Sequence, residues 1–330
     1  MVNPLDQLSE LLLVSAIVVY AIAFIAFAFD LARRSAEAQA VVGSGAGRDD
    51  LRAEQGGGVA VLVEAPPAAP PAAKGRRSSA RAGLALMIIA LVLHAGAVVL
   101  RGVAAERVPW ANMYEFSMTG TLVMVLVFLG VLTRIDLRFL GAVITGFVVL
   151  LLGIATVGFH VEVSPLQPAL QSYWLVLHVL VAILGTGFFT LAAALSAVQL
   201  LQARRERRSQ DVRPTRLKLL ATVPEADRLE NLAYRITVVG FILWTFTLIA
   251  GAIWADHAWG RYWGWDTKEV WTFIIWVVYA GYLHARATLG WRGTGSAWLN
   301  LIGYGSVLFN FGVVNVFFKG LHTYSGLPTS

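Results

Sequence analysis

The sequence predicts an all-α polytopic membrane protein with about eight transmembrane helices and an external tryptophan-rich loop. Three observations predict it. Hydrophobic residues make up 57% of the 330-residue chain and charged residues 14%, with a mean hydropathy of +0.67. A water-soluble domain of this size could not cover so much apolar surface. The apolar residues gather in runs of roughly 20, the length that crosses a bilayer as a helix. The strict alternation of a membrane barrel is absent, so the backbone must satisfy its hydrogen bonds within helices.

The leading segment MVNPLDQLSE carries Asp6 and Glu10 and no basic residue. The first apolar run, at 10–29, therefore reads as a retained helix and residues 1–30 as its unit. Residues 31–81 are rich in Ala, Gly and Pro, with APPAAPPAA at 65–73, which predicts a disordered linker. The core, 82–330, holds seven further spans, at 82–100, 117–133, 139–158, 173–202, 236–254, 270–287 and 299–318. All 11 prolines fall outside the eight spans, as helix interiors require.

Alternating the spans across the membrane puts 21 of the 26 Lys and Arg residues on one side. The positive-inside rule makes that side, with the 31–81 linker, cytoplasmic. Both termini and the tryptophan-rich loop, about 255–269, then lie outside. The net charge of +6 and pI near 9.8 are accounted for by topology, so no nucleic-acid partner is expected. The absence of cysteine excludes disulfides, thiol redox chemistry and thiolate metal ligation by this chain.

Six of the 11 tryptophans lie between Trp254 and Trp276, interleaved with Arg261, Asp266, Lys268 and Glu269. Such a stretch suits a flat apolar ligand carrying a few charged groups. Trp259, Trp263 and Asp266 follow i, i+4, i+7, so a helical loop would place them on one face as an indole platform. Arg261 and Lys268 could pair with ligand carboxylates. The bland readings stand beside these. Tryptophans collect at membrane interfaces, and Asp266 reads equally as the cap of the next helix. His178, one turn into the fifth span, and His322, just past the eighth, are predicted on the same outer side as the loop. Two imidazoles can fill both axial positions of a haem iron, although each histidine alone reads equally as an interfacial hydrogen-bonding residue. His284, deep in the seventh span, is an ionisable group inside a membrane segment and hence a candidate site. His94, in the second span, carries the same ambiguity. His160 and His257 fall in outer loops.

The run WGRYWGWDTKEVW at 259–271, continuing to YLHAR at 282–286, closely resembles the "WWD" signature of haem-handling proteins in cytochrome c biogenesis. PWANMYE at 109–115, YWLVLHV at 173–179 and GLHTY at 320–324 add to it. Together these residues are similar to the CcsA/ResC-type subunit of the System II cytochrome c synthase, over about residues 82–330. Thr267 and Thr323 depart from that pattern, at positions that are not ligands. The resemblance implies that His178 and His322 hold haem iron beside the loop. It implies that Trp259, Trp263, Trp265 and Asp266 form the platform and that His284 holds haem on its way outward. It further implies haem b as a transient, substrate-like cofactor, a ResB-like membrane subunit, apocytochrome c as the acceptor, and thiol-reducing proteins acting indirectly. Haem lyase activity would then belong to a two-subunit holocytochrome c synthase in a bacterial cell membrane. A b-type haem redox subunit and a haem exporter are the alternative readings.

Overall fold

The computed structural model describes residues 3–53, 78–164, 166, 170–210, 218–288, 290–318 and 320–322. Eight long helices carry the chain back and forth: α1 (Pro4–Ala53), α2 (Ser78–Ala105), α3 (Met113–Leu132), α4 (Gly141–Gly158), α5 (Tyr173–Gln210), α6 (Ala226–Trp259), α7 (Thr267–Thr288) and α8 (Thr294–Phe309). The last continues through a π-helical turn, Asn310–Val314, into a final turn, Asn315–Phe317. There is no strand among the described residues. Seven of the eight helices are long and apolar enough to cross a membrane. The exception is α7, in which Trp271, Trp276, Tyr279 and Tyr282 replace aliphatic residues, although its 22 residues are long enough.

Two boundaries differ from expectation. Helix α1 does not stop near Phe29 but runs to Ala53, and α2 begins at Ser78. Residues 31–53 and 78–81, read as linker, are therefore helical, and the remainder of that stretch, 54–77, lies outside the described residues. Helix α6 begins ten residues before Ile236 and ends five after Trp254, at Trp259.

The helices pack as two groups. Helices α1 to α4, joined by Leu191 and Leu195 of α5 and Leu229 of α6, enclose a core of Tyr20, Phe27, Met87, Met118, Phe128 and Leu140. The α1–α2 pair meets through small residues, Ala16, Ala23, Ala90 and Ala97, all fully buried, which lets two membrane helices approach closely. Gly141 does the same for α1 against α4, since a Cβ there would lie 2.6 Å from the Phe27 ring. Helices α5 to α8 share an aromatic core of Phe189, Trp244, Tyr279, Tyr282 and Tyr304. Phe189 and Tyr279 stack with ring centroids 3.8 Å apart and planes within 4°.

Ionic groups tie the helices at each end. At the end that carries the tryptophan-rich loop, Arg101 is fully buried. It donates to Asp6 of α1 (2.7 Å), Glu115 of α3 (3.2 Å) and the Val161 carbonyl (2.7 Å). Arg107 reaches the same Glu115 carboxylate at 2.6 Å. At the opposite end, Glu230 of α6 pairs with Arg286 of α7 and accepts from the Gly293 amide at 2.7 Å. The α8 residue Asn300 donates to Ser196 of α5 at 2.9 Å.

Candidate functional site

The tryptophan-rich loop is not a helix. Helix α6 ends at Trp259 because Gly260 adopts φ +70°, the left-handed geometry that closes helices, and its amide caps the Asp256 carbonyl at 2.8 Å. Trp259 is helical, whereas Trp263 and Asp266 lie in the irregular segment 261–266. The single helical face expected for the three therefore does not form. Within the loop the Arg261 guanidinium folds over Gly264, so a side chain at 264 would displace it. Trp265 holds φ +60°, an uncommon geometry for a bulky residue, and this turns its ring outward, 77% exposed.

Helix α7 then starts with a capping box, D-T-K-E. Glu269 Oε2 accepts from the amides of Gly264 (2.8 Å) and Asp266 (3.1 Å), and the Lys268 amide donates to Asp266 Oδ2 (3.3 Å). Asp266 is thus the cap, and it also reaches the end of the chain. Its Oδ1 accepts from the Leu321 amide at 3.0 Å and its Oδ2 from His322 Nδ1 at 2.8 Å. The hydrogen bond from His322 holds the Asp266 carboxyl below the usual carboxylate range, against the opposing effect of burial. The stability this adds is present above the ordinary carboxylate pKa and is lost as pH falls through the lowered one.

His322 and His178, 144 positions apart in sequence, meet around Trp254. The His178 ring stacks on Trp254 with centroids 6.0 Å apart and planes within 10°. The His322 ring stands edge-on to it at 5.6 Å and to Trp259 at 4.9 Å. His178 Nδ1 lies 2.9 Å from the Thr247 carbonyl on α6. That helix passes close enough because residue 251 is glycine, where a Cβ would lie 2.7 Å from the imidazole. A carbonyl or carboxylate can only accept, so each Nδ1 carries hydrogen and each neutral ring keeps its lone pair on Nε2. This is the arrangement in which histidines ligate metals, with the second nitrogen held by an outer-shell acceptor.

Both rings line one cavity, which offers about 230 Å³ of space to the centres of water-sized molecules. Its walls are mostly apolar: Trp110, Phe116, Met124, Leu175, Ile183, Trp244 and Phe311, with Tyr262 and Trp263 also lining it. It reaches as far as Thr186 and Tyr304. Thr186 is 13 residues into α5, roughly 20 Å from that helix's first residue. Apolar walls with a few convergent polar groups are the usual make-up of a small-molecule site.

Of the expected site residues, the cavity brings together His178, His322, Trp263 and Lys268. Trp259 and Asp266 stand behind His322. Arg261, Trp265 and His284 are not among its lining residues. His284 is exposed, 17 residues into α7 and roughly 25 Å from the start of that helix. His94 is fully buried between α1 and α3, with Nε2 2.9 Å from the Met118 carbonyl. His160 pairs with Glu10 at 2.7 Å, and His257 bonds the Ile253 carbonyl of its own helix at 2.9 Å.

Several residues that sequence reasoning did not single out belong to the site. Trp254 counted in the tryptophan cluster but not in the platform, yet it is 1% exposed and touches both imidazole rings. Asn310 and Asn315 lie in the wall beside Lys268. Their signal was available: two amides close together near the end of a span are polar groups that need partners. The PWANMYE segment forms the entry of α3. Asn112 caps the Glu115 amide at 2.9 Å, and Glu115 returns the bond to Ala111 at 3.0 Å.

Residues 110–322 match the family described as cytochrome C assembly protein. The chain is similar to the cytochrome c biogenesis protein CcsA of Guillardia theta, 32% identical over 69% of this chain and 80% of that protein. It is also similar to CcsA of Prochlorococcus marinus, 34% identical over 72% and 82%. CcsA of Porphyra purpurea is 31% identical over 74% and 88%.

Proposed function

The chain belongs to the cytochrome c assembly protein family as a CcsA-type subunit, and we propose that it holds haem b in the cavity, iron between His178 and His322, for attachment to apocytochrome c. The observation that carries this reading is the meeting of the two imidazoles. They come from the start of α5 and from beyond the end of α8, face one largely apolar cavity, and each has Nδ1 held by an acceptor. Haem here is substrate and not a resident group.

The residues around the cavity fit such a substrate. The walls exclude water from the macrocycle, and Tyr262 and Trp263 are aromatic surfaces for its edge. Thioether formation adds a cysteine S–H across a haem vinyl group, with no net oxidation and no leaving group. The thiols are those of the CxxCH motif of the acceptor, since this chain has no cysteine. No acid–base pair is required of the protein, whose part is positioning and exclusion of water. A ResB-like subunit completes the holocytochrome c synthase, and thiol-reducing proteins keep the acceptor's cysteines reduced. His284 fits a shared haem station, because it is exposed on α7 and the opposite ligand comes from that subunit. The charge distribution supports a bacterial cell membrane orientation with the cavity mouth outside and residues 31–81 on the cytoplasmic side.

The test replaces each imidazole. His178→Gly and His322→Gly are each expected to abolish cytochrome c maturation and to change the absorption spectrum of bound haem, and added imidazole restores part of both. Maturation that survives both substitutions removes the ligand assignment. A haem that stays bound and never passes to apocytochrome makes the chain a redox subunit instead.

A further inference from the structure

The α7–α8 wall of the cavity holds a polar group that ligation of the iron does not use. Lys268 Nζ lies 2.6 Å from Asn315 Oδ1 and 3.5 Å from the Asn310 carbonyl. Asn310 donates from Nδ2 to Thr272 Oγ1 at 3.3 Å. Its Oδ1 has no hydrogen-bond partner among the described residues, although Asn310 is only 5% exposed. Lys268, Thr272, Asn310 and Asn315 all line the cavity. Glu269 lines it too, but its Oε2 already holds the Gly264 and Asp266 amides.

A buried acceptor with no donor is a cost that native structures rarely carry without a use. Asn310 is also the first residue of a π-helical turn, a backbone form that recurs at functional sites. An ammonium has three N–H groups, and Lys268 directs two of them at Asn315 and Asn310. What is left over is one N–H donor and one amide acceptor, side by side on the cavity wall. A protonated carboxyl group complements the pair. Its C=O accepts from the ammonium and its O–H donates to Asn310 Oδ1.

We propose that Asn310, with Lys268 and Asn315, is the seat of a ligand carboxyl group in this cavity, which fixes the rotation of an amphipathic ring about the His178–His322 axis. This rests on the haem reading, where the carboxyl is a propionate; a fatty acid carries the same chemistry. Without such a seat, two axial imidazoles leave a flat ring free to rotate about the line joining them. With it, the edge without carboxyls is always presented in the same direction.

The test uses the purified full-length chain, haem, and haem dimethyl ester, in which both propionates are capped. The unmodified protein is expected to bind haem about tenfold more tightly than the diester, the scale of a buried hydrogen bond to a charged group. Asn310→Leu brings the two affinities within about twofold, with the bis-imidazole absorption spectrum unchanged. Asn310→Asp, which keeps the shape of the side chain and an acceptor for the carboxyl O–H, retains the preference for haem over the diester. Equal affinity of the unmodified protein for both porphyrins overturns the seat while leaving haem ligation standing, as does a preference that Asn310→Leu retains. Failure to bind either porphyrin overturns the haem reading itself. Laurate added as competitor distinguishes the sources. If it displaces haem from the unmodified protein and not from Asn310→Leu, the seat takes carboxylates in general. If it displaces haem from neither, the seat is confined to the porphyrin's own propionates.

Discussion

Asp266 accepts hydrogen bonds from the amides of Lys268 and Leu321 and from His322 Nδ1. One carboxylate thereby starts α7, pins the end of the chain and sets the tautomer of a proposed iron ligand. Outer-shell partners of ligating histidines are worth roughly 10- to 100-fold in affinity. Asp266→Ala is therefore expected to lower haem affinity by about that factor, with the His178 side of the site intact, as titration of the purified protein would measure. The two histidines were legible in the sequence because each occupied the same end of a span as the tryptophans. The carboxylate's second role was not legible, because capping residues and ligand partners have the same local signature. The platform was legible only in part. Trp265 faces outward, and Trp254, counted in the tryptophan cluster but not in the platform, stacks on His178.

At the scale of elements, α5 and α6 bring the site together by approaching closely beside His178. Gly251→Val would drive side-chain atoms into the imidazole. The expected result is loss of the bis-histidine spectrum at near-normal thermal stability, since Gly251 lies beside a cavity that can take up the displaced ring. The Arg101–Glu115 group works differently. Arg101 and Glu115 are both fully buried, and each compensates the other. Glu115→Ala leaves two arginines without their shared acceptor and removes the α3 capping box, so a loss of about 3–5 kcal/mol is expected, read as a lowered melting temperature in detergent. Helix number and order could be read from apolar runs and proline positions. The helix ends could not, because Ala-rich sequence continues α1 past its apolar run and Gly260 stops α6 only where the chain turns. The i, i+4, i+7 pattern in the loop was a coincidence of spacing that one left-handed glycine cancels. Nor does any periodicity announce the π turn of α8, which sets the Asn310 carbonyl and the Asn315 amide against the same ammonium.

For the molecule as a whole, the absence of cysteine makes topology open to direct measurement. Single thiols introduced as Tyr262→Cys in the tryptophan-rich loop and Glu206→Cys near the end of α5 are expected to react with a membrane-impermeant maleimide from opposite sides of the membrane. Labelling of both from the same side would invert or break the eight-helix order. The distribution of arginine and lysine predicts which side each thiol faces. The position of His284 was not legible, since a histidine in a span is ordinarily turned into the bundle and this one is exposed.

The two histidines differ in how they are mounted. His178 projects from a 38-residue helix and its ring is backed by Trp254. His322 lies beyond the last turn of α8, where Asp266 grips both its imidazole and the preceding amide. A cargo held between them has one fixed jaw and one hinged jaw. Protonating or withdrawing a single carboxylate would open the hinged side without disturbing any transmembrane helix, so unloading should begin at His322 and leave His178 the last to let go.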